Sequence, residues 1–464
     1  MSSVSGSNGR SPVTVGVDVG TTSVKSVAVD ADGRVVARAR VPHKIGVPHP
    51  EQLEHDARRA WRLGPRRAFA EVVSQLSVPV AGVAVSAMVP SMTAVDRRGV
   101  PLLPGLLYGD ARTVMDDGAT GGLPDGRGFI RWAAQEAPEA AGYWPCQSVA
   151  TNALCGVPAM DSATSIVFGN LRTMEGWQAD KLAAIGATPE QMGVVVEMGE
   201  PAGTNPETGA TVTGGTIDAL CDQLVSVAAE PGDILAIFGA TLVIWVVTDS
   251  WLEIPGLVSV PHTVPDRFLV GGPSNAGALF ADWARNLLRG VTPPGPSRAS
   301  QPSKDDPRQG DPQRVPVWLP YLRGERTPFN DPSLRASLYG LDITQGPAAI
   351  ERAAFEASGF VIRRMLELSG VPGRRVVTSG GGTRVAAWMA AVADATGLPV
   401  DTPAVPEGAA LGAAFVARVA AGLEPSMDDS RRWARTGTRY EPDPVWTKAA
   451  DARYRTFEAL GPGR

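Results

Sequence analysis

Two apolar, β-branched runs at 13–19 and 24–29 flank the turn Gly20-Thr21-Thr22-Ser23. After a second turn, Asp30–Gly33, a third run (RVVARARV, 34–41) follows. Runs this short, separated by Gly and Asp turns, predict an antiparallel meander. Residues 50–76 (PEQLEHDARRAWRLGPRRAFAEVVSQL) then carry apolar positions at helical spacing and predict a helix. Residues 80–88 predict a buried strand, and 93–110 a strand, turn and strand. The opening design recurs at 232–247 (GDILAIFGATLVIWVV), where two apolar runs flank Gly239-Ala240-Thr241 and the first arm is read as carrying no acid. Two such hairpins in one chain predict two related domains.

Further on, 348–370 predicts an amphipathic helix closed by Gly370, and 374–397 a strand, a glycine turn and a helix. Residues 408–422 predict a small-residue helix suited to close packing, and the final forty or so residues a peripheral helical tail. The stretch 289–316 is dense in Pro, Ser, Asp and Gln, which excludes a regular helix or central strand. It is read as an exposed loop within the second domain. The expected organisation is therefore a disordered leader at 1–12, an N-terminal domain at 13–229, a C-terminal domain at 230–425 and a peripheral tail at 426–464.

Composition narrows the function class. The net charge of −5 argues against a broad nucleic-acid footprint, though a local anion site stays open. Three cysteines without a CxxC do not make a disulfide framework, and a reducing cytoplasm fits them. Four histidines without an HxxxH or HExxH pattern point away from zinc. With six-residue steps, His43, His49 and His55 share no helix or strand face and are read as surface residues. No apolar run is long enough for a membrane span, and the polar leader lacks the apolar core of a secretory signal.

Three glycine turns are candidate phosphate cradles: Gly20-Thr21-Thr22, Gly239-Ala240-Thr241 and Gly380-Gly381-Gly382. Glycine lets phosphate approach the backbone N–H groups, and Thr hydroxyls add donors. Neither a Walker-type loop nor a GxGxxG pattern is present. Asp18 is an acid inside a strand that otherwise reads as buried. It either caps its own turn or holds a hydrated Mg²⁺ beside a nucleotide. Asp218 follows Gly214-Gly215 and opens a helix. It is either a dipole-favoured helix acid or a general base for a hydroxyl attacking phosphorus. Asp222, one turn later, is either a competing candidate or a solvated helix acid.

These pieces, in this order, resemble the FGGY family of carbohydrate kinases, within the actin/Hsp70/sugar-kinase superfamily. GVDVGTTSVKSVAVDADGRVVA (16–37) and GDILAIFGATLVIWVV resemble its two phosphate motifs. LPYLRGERTPFNDPSLRASLYGLD (319–342), TSGGGTRVAAWMAAVADATGLPV (378–400) and PEGAALGAAFVA (406–417) resemble its second domain. The resemblance implies an α/β fold of two ribonuclease-H-like (actin-like ATPase) domains with a central cleft. It implies ATP-dependent phosphorylation of a sugar or polyol hydroxyl, and a homodimer. It places Asp18 near Mg²⁺, with Gly20, Thr21, Thr22, Gly239, Thr241, Gly381, Gly382 and Arg384 on ATP. Asp218 would be the catalytic base, although one extra residue separates it from the glycines. The motif style is nearest the xylulokinase branch, yet SAMVPSM (86–92) and LLYGDAR (106–112) stand where that branch shows GQMHG and LWND-x-R. Met88, Asp110 and Arg112 remain as sugar contacts, D-xylulose is the expected substrate, and another ketose or polyol (ribulose, glycerol- or erythritol-like) the alternative. An actin- or Hsp70-type ATPase and a non-catalytic sugar-binding regulator are the remaining readings.

Overall fold

The computed structural model describes residues 11–49, 51–115, 126–288, 308 and 310–462. All but the end of the expected leader, and 289–307 and 309 of the Pro-rich stretch, lie outside the described residues. The chain forms two compact units: Met1–Val225 with Glu407–Trp433, and Ser226–Pro406 with Ala434–Arg464. Among the described residues no helix is long and apolar enough to cross a membrane.

The first unit is built on the expected meander. Strands β1 (Val13–Val19), β2 (Ser23–Val29) and β3 (Val35–Pro42) pair antiparallel in sequence order. Strand β4 (Val80–Ala87) lies parallel to β1 on its other side, and Thr211–Thr213 lies parallel to β4. β1 is buried along its whole length, which is why it reads as a continuous apolar run.

The second unit repeats this plan. Strands β5 (Asp233–Phe238) and β6 (Leu242–Thr248) form an antiparallel hairpin, and Phe268–Ser274 extends it. Arg375–Ser379 and Val400–Pro403 then continue in parallel on the far side of β5. Within each seven-stranded sheet the second hairpin strand is thus flanked by an antiparallel strand and the first by two parallel ones in succession, with the glycine turn between the two hairpin strands each time. The shared strand order supports reading the two hairpins as a true repeat.

Four expectations need correction. The helix expected over 50–76 begins only at Arg58. Glu54–His55 instead pairs with Ile45–Gly46 and with Gly105–Leu107, and the Asp56 side chain accepts the Arg59 N–H to start the helix. Asp233 is an acid in the first arm of the second hairpin, at the end away from the turn, bound by Arg375.

Glu407–Trp433 belongs with the first unit, not the second. Its helix, Gly408–Ala420, crosses β1 and β4 where glycines leave room. A Cβ on Gly16 would stand 1.8 Å from the Ala410 carbonyl oxygen, and one on Gly82 2.6 Å from that of Ala417. Thr14 Oγ1 donates to the Ala414 carbonyl at 2.8 Å.

Nor is the tail peripheral. Its helix, Pro444–Leu460, buries Trp446, Tyr454 and Phe457 in the second unit. Arg453 there grips buried Glu356 with two nitrogens, at 2.7 and 2.8 Å.

Replacing Gly16 by Ala should destabilise the protein by about 2–3 kcal/mol or block folding, because the new methyl meets backbone that cannot swing away. The same change at Gly346, which has open space and a negative φ, should cost only a few tenths of that scale. Urea unfolding of the two variants checks this.

Candidate active site

In the first hairpin the register sets Asp18 directly across from Lys25. The Lys25 Nζ stands 3.3 Å from Asp18 Oδ2. On the other side, Asp18 is the register partner of Ser86 on β4, whose hydroxyl lies at a long 3.5 Å from Oδ1. Asp18 therefore sits at the carboxyl ends of two parallel strands, where open α/β sheets place their ligands.

Asp218 reaches the same edge by a separate route. Thr216–Ile217 pairs parallel with Ser86–Ala87, and the helix Asp218–Leu224 starts at the next residue. The extra residue between the glycines and Asp218 is taken up by this pairing. Gln147 clamps the junction, its Nε2 donating to the Ala87 carbonyl at 2.9 Å and to that of Thr216 at 3.3 Å. A Cβ on Gly215 would collide with Gln147, so the glycine pair serves close packing there.

Burial pushes the Asp218 carboxyl up to about 6; neighbouring Asp18 adds to the rise, while the Ala219 N–H and Lys25 oppose it. Its Oδ1 accepts that N–H at 2.7 Å. The site thus pairs Asp18, matched to Lys25, with a second carboxyl that burial drives toward its neutral form. Asp222 is buried within the helix, which removes the solvated reading of that acid.

No cluster of three or more His, Cys, Asp or Glu residues that could hold a metal occurs among the described residues. Asp18, with one oxygen on Lys25 and the other only weakly engaged, suits an ion that keeps most of its waters.

The proposed sugar contacts divide. Met88 is buried at the end of β4 and its carbonyl accepts the Ser91 hydroxyl. Asp110 is fully engaged inside the protein. Its Oδ2 accepts the Leu53 N–H at 2.7 Å and an Arg112 nitrogen at 2.8 Å, and its Oδ1 accepts the Arg112 N–H and Nε. Arg112 also reaches Glu54 at 2.7 Å. This pair braces the loop that carries Tyr108, whose hydroxyl lies 3.2 Å from Thr21 Oγ1.

Behind the first turn stands His55, which is buried and not a surface residue. Its Nε2 meets the Thr21 carbonyl at 2.7 Å. His43 is half-buried and edge-on to it, with ring centroids 4.5 Å apart. His49 is exposed, as read.

In the second unit, the Gly239 and Ala240 carbonyls accept the N–H groups of Ala278 and Leu279 at 2.9 and 3.0 Å. Gly277 permits this, since a Cβ there would stand 2.3 Å from the Thr241 backbone. The third glycine turn meets the same strand end. Gly380, at φ +88°, and Gly382 both pack on Phe238, while Gly381 faces open space. Arg384 closes the short turn that follows. The structure thus brings Gly239, Thr241, Gly381 and Gly382 together around Phe238 in one unit.

Two family models match: the N-terminal domain of the FGGY carbohydrate kinases over residues 13–116, and the C-terminal domain over 236–421. The chain belongs to the FGGY family of carbohydrate kinases. This kinase is 26% identical to the xylulose kinase of Escherichia coli, over 96% of its own length and 98% of the relative's. It is 23% identical to the gluconokinase of Bacillus subtilis, over 96% and 93%. The crystal structure of xylulose kinase from Rhodospirillum rubrum, 26% identical, superposes with a TM-score of 0.71, covering 97% of this chain and 98% of that one. The fold is that of the sugar kinases of the actin-like ATPase superfamily, with the two-domain FGGY architecture. Kinases of this family use ATP as a substrate.

Sequence reading missed Lys25, Ser86, Gln147, Tyr108 and His55. Lys25 alone left a usable signal, being as far from the centre of the hairpin as Asp18.

The raised affinity of Asp218 for its proton has a stability consequence. The folded protein binds that proton more tightly than the unfolded chain, so the ionised acid costs stability in full above about pH 6 and nothing once pH falls below the unfolded value. The Asp218→Asn variant should therefore be more stable than the parent at pH 7.5 by about 1–2 kcal/mol, allowing for partial solvent screening. The difference should vanish near pH 4. Thermal melts of both proteins across this range check it.

Proposed function

We propose that this kinase transfers the γ-phosphoryl of MgATP to a hydroxyl of a pentulose, with D-xylulose as the acceptor. The observation that carries the proposal is the Asp218 carboxyl, held at about 6 beside Asp18 and Lys25. A group that ionises just below neutrality can accept a hydroxyl proton and still be ionised at working pH. Similarity to xylulose kinases over nearly the whole chain supports the acceptor class.

In this reading the first unit binds the sugar near Met88, and Asp218 takes the proton from the attacking hydroxyl. Asp110 and Arg112 hold each other, and so shape the sugar pocket's wall through the loop they brace. The Gly20 N–H closes the turn onto the Ser23 carbonyl at 3.1 Å, Gly20 leaves room for close approach, and the N–H groups and hydroxyls of Thr21 and Thr22 receive the phosphoryl oxygens, with Lys25 supplying positive charge. In the second unit, Gly239 and Thr241 bind phosphate, while Gly381, Gly382 and Arg384 bind the nucleoside end. Asp18 would hold a hydrated Mg²⁺, which supplies charge neutralisation on the phosphates.

Asp218→Ala should lower kcat by at least about 10³-fold while MgATP still binds, and the parent's kcat/KM should fall tenfold per pH unit below about 6. A coupled ADP-release assay with D-xylulose, D-ribulose, gluconate and glycerol tests the acceptor. Turnover with D-xylulose at least tenfold above the others is expected. A preference for gluconate or glycerol would overturn the acceptor, and full activity in Asp218→Ala would overturn the base.

A further inference from the structure

A turn that offers its N–H groups to phosphate has carbonyls on its other side, and buried carbonyls need donors. In the first turn the donor to Thr21 is a histidine side chain. The hydrogen bonds around that ring fix its proton. The Trp61 Nε1–H is only a donor, and it meets His55 Nδ1 at 3.0 Å, so Nδ1 is an acceptor. The Thr21 carbonyl is only an acceptor, and it meets Nε2 at 2.7 Å. The ring is therefore neutral, with its proton on Nε2 and aimed at Thr21.

The donor behind the histidine cannot drift. Trp61 is fully buried, and its ring lies where a Cβ on Gly105 would be, 2.3 Å away. His55 itself sits in a short strand paired with Ile45–Gly46 and Gly105–Leu107. Thr21 is held from its hydroxyl as well, by Tyr108. Burial and the neighbouring His43 hold the His55 ring down to about 4, which keeps it a neutral donor at working pH.

We propose that His55 is a positioning residue for phosphoryl transfer: by holding the Thr21 carbonyl, it aims the Thr22 N–H of the same peptide at the transferred phosphoryl. The carbonyl and N–H of a trans peptide point in opposite directions, so fixing one fixes the other. The proposal rests on the reading of Gly20-Thr21-Thr22 as a phosphate turn.

The test compares full-length His55→Phe, which lacks the donor, with His55→Gln, whose amide can still donate to Thr21. Steady-state ADP release with MgATP and the acceptor preferred in the panel above gives kcat and both KM values, and melting curves report folding. His55→Phe should lower kcat about 10- to 100-fold and leave the acceptor KM within about twofold. His55→Gln should recover most of that loss. A folded His55→Phe with kcat and ATP KM within about twofold of the parent overturns the proposal. So does a folded His55→Gln as impaired as the Phe variant. Should His55→Phe not fold, His55→Leu, smaller and equally without a donor, takes its place, and an unchanged kcat there overturns the proposal equally. Thr22→Pro, which deletes the N–H itself, separates the two claims. If it leaves kcat intact, the phosphate-turn reading fails; if it abolishes turnover while His55→Phe does not, only the role of His55 fails.

Discussion

The carbonyls of the glycine turns are the constraint on which much of the surrounding structure depends. Backbone N–H groups can be offered to an anion only if the opposite faces of those peptides are satisfied from within the protein. The two units meet this demand differently. In the second unit a helix start does it, with the N–H groups of Ala278 and Leu279 donating to Gly239 and Ala240. Those N–H groups would otherwise be orphans of the first helical turn, so one arrangement satisfies two sets of unpaired groups. In the first unit the His43 N–H takes the Thr22 carbonyl at 3.0 Å and a side chain takes that of Thr21, and that side chain needs its own support from Trp61, from a short strand pairing and from Gly105.

The second organising feature is the charge set at the carboxyl edge of the first sheet. Asp18, Lys25 and Asp218 come from two adjacent strands and a helix start, and each alters the others. Lys25 Nζ stands 3.3 Å from Asp18, while Asp218 accepts the Ala219 N–H of its own helix at 2.7 Å. The consequence is an asymmetry between two chemically identical acids, one matched by a cation and the other driven toward its neutral form by burial. Such a division suits one group to bind charge and the other to exchange a proton.

Local patterns made the hairpins, the helix at Pro347–Ser369 and the acids Asp18 and Asp218 legible in the sequence, because strand period, turn chemistry and helix starts are encoded within a few residues. What escaped is non-local. The partners of His55 lie at positions 21 and 61, and its burial follows from strand pairing that no periodicity announces. The spacing of 43, 49 and 55 argued for a surface because it assumed one regular element, whereas His43 and His55 meet across a loop. The return of Glu407–Trp433 to the first unit was hidden for the same reason. Its small residues were visible, but the glycines that receive them, Gly16 and Gly82, lie more than three hundred residues earlier.

The register distinguishes the two hairpins. Two residues before the turn, the first hairpin has Asp18 facing Lys25, while the second has Ile237 facing Val243. The strand order is shared, so the difference is one of chemistry on a common frame. The acid in the second hairpin, Asp233, lies at the far end of its strand and is matched by Arg375, where it ties β5 to its parallel neighbour. A charge at that end stabilises the sheet without reaching the turn. A charge at the other end, as in β1, lies beside the turn and is engaged by Lys25 at 3.3 Å and by the Ser86 hydroxyl at a long 3.5 Å. The position of an acid along an otherwise apolar strand thus separates a carboxylate tied into the sheet from one set at the turn.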